Sequence, residues 1–280
     1  AHAMAEACGP AVPLRDNPAA QLGVCLGEGA RIGRDKVTLL ASPALSRFGV
    51  WVEQLLAEST GKQGKGLIPI HGEPLRDPAS YPPDRLFVEL QLVNEPDAVL
   101  ERTVERLAAA GHPVVRLLWQ DRSDLGGEAM RWFLATAIAA SCMELNPFDE
   151  PNVQESKDRT KALLDRFTQD RMLPIEPPGI TEGNLALYGD QAGRSSSTIA
   201  EALQATFRQV VAGDYIAILS FLPRRQALDA AVESLRDRLA EGLGVATMVG
   251  YGPRYLHSVG QLHKGGPDRT VLLLLTSEDA

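Results

Sequence analysis

The 280-residue chain predicts an α/β fold built on a mostly parallel sheet covered on both faces. Two observations carry that expectation. Runs of strand length such as KVTLLA at 36–41 and TVLLLL at 270–275 are almost continuously apolar, the pattern of strands buried on both sides. Segments with helical periodicity lie between such runs, so strand and helix alternate along the chain. At 44% apolar residues the composition is that of a globular protein able to bury one large core or two small ones.

Taken in order, AHAMAEAC reads as the end of a helix, with neither an initiator Met nor a signal peptide, and so suggests a fragment. Asn17-Pro18 then starts a helix through Leu22 and Leu26 that fades into Gly27, Gly29 and Gly33. GEGARIG has the wrong glycine spacing for a dinucleotide fingerprint and precedes a strand instead of following one. The first strand is 36–41, and Ser42-Pro43 is expected to cap the helix that ends at Glu58. A short strand at 67–70 and a proline-broken loop through Pro83 lead to a strand at 86–92. Asn94 is expected to open a helix over 96–110, which Gly111 ends before a strand at 113–119.

An apolar helix over 127–145 leads to the turn Asn146-Pro147-Phe148-Asp149, and Pro151 or Asn152 begins the helix that holds Lys157. Residues 172–194 are rich in Pro and Gly and read as an irregular excursion or an edge hairpin. Ser195 to Thr198 precede a helix over 199–211; they can cap it or hold a phosphate on its free N–H groups. Strand 215–221, helix 225–242, strand 245–249 and strand 270–275 complete a second strand–helix run. The whole reads as an α/β unit over 1–171, with 172–280 as its continuation or a subordinate lobe.

The net charge of −8, with no cluster of Lys and Arg, argues against a nucleic-acid surface. No apolar run reaches the roughly 18 to 20 residues of a membrane span. Three widely spaced cysteines indicate neither a disulfide framework nor a zinc cluster, and fit a reducing cytoplasm. GKQGKG lacks the P-loop arrangement, and His257 and His263 have no Cys or Asp at ligand spacing, so neither a nucleotide cofactor nor a metal is indicated.

The most informative stretch is 48–66, FGVWVEQLLAESTGKQGKG. Val50, Trp51, Leu55 and Leu56 recur at helical spacing. Glu58 falls at the helix C-terminus, where the macrodipole disfavours an acid, and Gly61, Gly64 and Gly66 then bring backbone close to a neighbour. An acid held against the dipole and flanked by Lys62 and Lys65 is placed for chemistry, although taken alone it also reads as a solvated Glu before a glycine-rich loop. Lys157 in ESKDRTK likewise reads alone as a solvated helix face, and His257 as a histidine in a glycine-rich loop.

Gln54, Glu58, Ser59, Thr60, Gly61 and Lys62 resemble the Q-x-x-x-E-S-x-G-K motif of glucose-6-phosphate isomerases. Asn146-Pro147-Phe148-Asp149 with Val153 and Lys157 resembles that family's N-P-F-D-Q-x-x-V-E-x-x-K motif. His257-Ser258 with Gln261-Leu262-His263-Lys264-Gly265 resembles its Q-H-S-x-x-Q-L-x-H-x-G motif. The wording is closest to the isomerase half of transaldolase/glucose-6-phosphate isomerase fusions. The resemblance implies the sugar isomerase (SIS) fold, a flavodoxin-like αβα sandwich. It also implies that Glu58 moves a proton between C2 and C1 of a sugar phosphate, that His257 opens the ring, and that Lys157 assists at the ring oxygen. Gln54, Ser59, Thr60, Gly61, Lys62 and Glu150 would line the substrate, with no metal or organic cofactor.

Three departures accompany the resemblance. Glu150 stands where the family usually has Gln; the histidine motif follows the lysine motif; and the family's S-x-T-x-x-T phosphate loop and Gly-Gly-Arg segment have no counterpart here. An upstream domain or a second subunit is therefore the expected partner. Alternative readings are a non-catalytic sugar-phosphate-binding SIS module and a Schiff-base aldolase using Lys157.

Overall fold

The computed structural model describes residues 1–172, 177–189 and 196–277. Its architecture is α/β, with parallel sheets and helices on both faces. The larger sheet has four parallel strands in the order β2-β1-β3-β4: β1 is Lys36–Ala41, β2 Ile68–His71, β3 Arg85–Leu92 and β4 Val114–Trp119. Successive residues of β1 serve opposite faces, as the two-residue period of a strand requires. Val37 and Leu39 enter a core with Leu22 and Leu26 of α2 (Pro18–Arg31), Val52 and Leu56 of α3 (Ser46–Thr60) and Trp132 of α5 (Leu125–Cys142). Leu40 and Phe87 enter the other core, with Leu100, Val104 and Leu107 of α4 (Ala98–Ala109). A short α1 (His2–Ala7) packs on α5.

After α5, helix α6 (Pro151–Asp170) carries no buried residue. The hairpin β5 (Ile180–Glu182) and β6 (Leu185–Leu187) is antiparallel and forms its own sheet. Helix α7 (Ile199–Phe207) leads to a second parallel sheet, β8-β7-β9, in which β7 is Tyr215–Ser220, β8 Ala246–Tyr251 and β9 Thr270–Leu275. Helix α8 (Gln226–Leu243) covers one of its faces through Val232 and Leu239. The other face meets the first sheet. There Ile68 and Ile70 of β2 pack with Tyr215, Ala217 and Leu219 of β7, Ala246 and Met248 of β8, and Ala57 of α3.

Several local expectations are corrected. Ser42 makes no capping bond, because Pro43–Leu45 form a 3₁₀ turn before α3 begins. Helix α4 is capped by Asp97, whose carboxylate accepts from Val99 and Leu100 N–H, and not by Asn94. Helix α7 ends at Phe207, four residues short of the expected end. The segment expected as a glycine-rich loop around His257 forms two short helices, α9 (Arg254–Ser258) and α10 (Gly260–Gly265). Isolated helices this short are unstable in water, so tertiary contacts must hold them. Tyr255, Val259 and Leu262 supply such contacts at the seam between the sheets.

Candidate active site

Glu58 lies in the last turn of α3, half-buried, and Gln54 one turn earlier donates to its Oε2 from Nε2 at 3.2 Å. Burial raises the carboxyl above its ordinary range; the Gln54 hydrogen bond opposes the rise, the charge of Glu150 adds to it, and His257 counters it. Glu58, Glu150 and His257 come from segments far apart in sequence, yet each of the other two is close enough for its charge to act on Glu58. Glu150 and His257 are exposed.

Hydrogen bonds between the backbone and buried side chains tie these segments together. Lys62 is fully buried, and its Nζ donates to Asn146 O at 2.9 Å, to Asp149 O, and to Asp149 Oδ1 at 2.9 Å. The turn that carries Glu150 is thereby fastened to the end of α3. Its lysine partner holds the Asp149 carboxyl below the usual range. Gln261 of α10 donates from Nε2 to Gly61 O at 2.8 Å and to Asn152 Oδ1 at 2.9 Å, joining α10 to both α3 and the first turn of α6. Gly64 N–H donates to Gly265 O at 2.9 Å. Leu262 sits so close to Gly61 that a Cβ there would lie 2.4 Å from its Cα.

The residues singled out from the sequence thus divide. Gln54, Glu58, Glu150 and His257 converge. Ser59 is half-buried at the same helix end. Thr60, Gly61 and Lys62 are turned inward: Thr60 Oγ1 donates to Leu56 O at 2.7 Å and accepts from Leu67 N–H at 2.9 Å, and neither Thr60 nor Lys62 has exposed surface to offer a ligand. Packing accounts for their place in the motif. Lys157 is exposed on α6 and is not bonded to Glu58.

Ser197 and Thr198 cap α7 in a reciprocal arrangement with Glu201, whose carboxylate accepts from Ser197 and Thr198 N–H. That carboxylate occupies the place an anion would take, so capping and not phosphate binding accounts for these two residues. Ser195 lies outside the described residues. Among the described residues no group of three or more His, Cys, Asp or Glu could hold a metal ion, and no helix is long and apolar enough to cross a membrane.

Sequence reasoning missed the ion pair of buried Glu53 with exposed Arg254, in which Arg254 Nη2 of α9 lies 3.3 Å from Glu53 Oε1 of α3. The available signal was a charge on the buried stripe formed by Gly49, Val52, Leu56 and Ala57. Burial raises the Glu53 carboxyl, against the pull of Arg254 and Arg236.

No family model matches the chain. A solved structure, described as that of a hypothetical protein, TT0462, from Thermus thermophilus, superposes with a TM-score of 0.48 and 20% identity over 58% of this chain and 48% of its own. A glucose-6-phosphate isomerase of Rubrobacter xylanophilus is 26% identical over 167 residues, covering 47% of this chain. The match spans 39% of that curated protein's own length. On that sequence match, the chain is a distant relative of a glucose-6-phosphate isomerase.

Proposed function

We propose that this chain is the part of a phosphosugar aldose–ketose isomerase that carries the catalytic base, interconverting glucose 6-phosphate and fructose 6-phosphate through a cis-enediol. The observation that supports this reading best is the convergence on Glu58 of Gln54, Glu150 and His257 from three separate motif segments. In the forward direction the ring opens first. The C1 hydroxyl loses its proton, the bond from C1 to the ring oxygen breaks, and that oxygen takes up a proton, with His257 as the exchanging group and Lys157 assisting at the ring oxygen. An imidazole suits this task because it gains and loses a proton near neutral pH.

Glu58 then removes the C2 proton. The enediol forms as O1 gains a proton, and the ketose results when O2 gives one up and Glu58 returns its proton to C1. A carboxyl raised by burial is a stronger base than an ordinary one, which suits the task of a general base. The Gln54 amide donates to one of its oxygens and helps to orient it.

The substrate's phosphate and the enediolate also need cationic anchors. In this proposal they come from another domain of the same polypeptide or a second subunit, and the parent is a transaldolase fusion. A Schiff-base reaction has less support, since an imine-forming lysine is activated by desolvation and Lys157 is exposed.

The test is Glu58→Gln in the full-length protein. The amide keeps the shape but cannot accept a proton. Turnover and exchange of the C2 hydrogen with deuterated solvent should both fall at least about a hundredfold, with calorimetric affinity for fructose 6-phosphate nearly unchanged. Retention of more than about a tenth of the activity refutes the assignment, because a general base contributes about a hundredfold or more.

A further inference from the structure

The ring-opening histidine of the proposed reaction stands on a helix of five residues, α9, too short to hold itself. What fixes it is therefore part of the site. Its apolar side is anchored by Tyr255, which packs against Phe221 with ring centroids 5.6 Å apart. Its first turn is anchored by Arg254, whose guanidinium reaches Glu53 at 3.3 Å. The Glu53 side chain is only 11% exposed, while that of Arg254 is 50% exposed.

The surroundings make this pair more than a surface ion pair. Arg236 of α8, 2% exposed, donates from Nη2 to His71 O at 3.0 Å, and its charge also acts on Glu53. His71 feels both Arg236 and Arg254. Glu53 is thus the carboxylate that lets two guanidiniums and an imidazole share one corner, with Glu233 pairing with Arg236 from the outer side. Without Glu53, Arg254 is repelled by Arg236 and has open solvent to move into, and α9 loses its polar tie to α3.

We propose that Glu53 and Arg254 are positioning residues for ring opening: their ion pair holds the α9 helix so that His257 stands at a fixed place relative to Glu58. The inference rests on the isomerase reading above. It assigns neither residue a contact with substrate. Glu53 lies on the buried stripe of the same helix as Glu58, so one rigid element sets the position of the base directly and of the histidine through Arg254.

The experiment compares two substrates in the full-length protein. Glucose 6-phosphate must be opened, whereas a four-carbon aldose 4-phosphate has no hydroxyl free to close a five- or six-membered ring. Glu53→Gln and Arg254→Met should each lower kcat on glucose 6-phosphate about 10- to 100-fold, since a displacement of about 1 Å can cost a hundredfold. KM should stay within about twofold, and so should turnover of the four-carbon substrate. The double variant should be no worse than the worse single one, because both break the same link. Arg254→Lys, which keeps the charge, should recover most of the rate.

Equal losses on both substrates would show a merely structural pair and overturn the proposal. A raised KM for both with kcat unchanged would make Arg254 a phosphate ligand and overturn it equally. Failure of the isomerase reading has a different signature: Glu58→Gln then stays active, whatever Glu53 and Arg254 do.

Discussion

Replacing Gly61 by alanine should separate the packing role found for this glycine from the substrate contact that the motif implies. Its backbone φ is −75°, so alanine meets no torsional objection. The objection is spatial. A Cβ at Gly61 would lie 2.4 Å from Leu262 Cα, 2.7 Å from Ala57 O and 2.9 Å from Leu262 Cβ. Carbon atoms settle at about 3.5 to 4.0 Å, so α10 must retreat by about 1 Å or more. That stretches the Gln261–Gly61 bond, 2.8 Å long, and the Gly64–Gly265 bond, 2.9 Å long, beyond useful length.

Overpacking costs about 1 to 3 kcal/mol, and each hydrogen bond lost adds about 0.5 to 1.5 kcal/mol. Gly61→Ala should therefore lower the unfolding free energy by about 3 kcal/mol, read from the urea midpoint at unchanged slope. Gly242→Ala is the control. That glycine lies within α8 with nothing within 4 Å of its Cβ position, so the change should stabilise by roughly 0.5 to 1 kcal/mol through helix propensity. A Gly61→Ala protein within about 0.5 kcal/mol of wild type, inside the usual range of neutral surface changes, would refute the close approach of α3 and α10.

Lys62→Met should destabilise by about 2 kcal/mol or more, since it removes the cation from a site where three oxygens accept from it; denaturant melts read the loss. Activity should fall with it as the Glu150 turn loosens. The acid limb of the kcat/KM profile should lie above the ordinary glutamate range, because burial raises Glu58 and the base must be ionised to work; a limb at or below that range would contradict its half-buried setting. Burial pushes the His263 imidazole down to about 4 from 6.5. Between those values the unfolded chain binds a proton that the folded one refuses, so stability is complete above pH 6.5 and is lost as pH falls toward 4. The loss is about 3 kcal/mol. The difference in stability between wild type and His263→Gln should track that window; a difference independent of pH would show that His263 is solvated.

The parallel strands were legible because strands buried on both faces admit few polar residues, and 36–41 shows that directly; 270–275 is as apolar yet forms an edge strand whose Leu272 and Leu274 are exposed, a correction to the expectation of burial on both sides. Less legible was β3, whose eight residues are all buried although three are charged or amide-bearing. Arg85 is tolerated because it meets Glu73 at 2.9 Å, Glu89 because Arg116 pairs with it from β4, and Gln91 because it accepts from Asp97 N–H at 2.8 Å. These partners lie outside the strand itself, in the loop before β3, in β4 and in the turn before α4, so the strand's own pattern does not announce them. The division into two sheets was hidden for the same reason, since which strands pair is decided by contacts far along the chain. In the candidate site the motifs were visible, but the part played by each residue was not. Lys62 and Lys157 look alike as letters beside acids. Only the fold shows that the turn at 146–149 closes over Lys62 and buries its charge, while Lys157 stays on a helix with no buried face. A motif records which residues must be present together; whether a residue faces the ligand or holds another residue that does is decided by burial, and burial is a property of the whole chain.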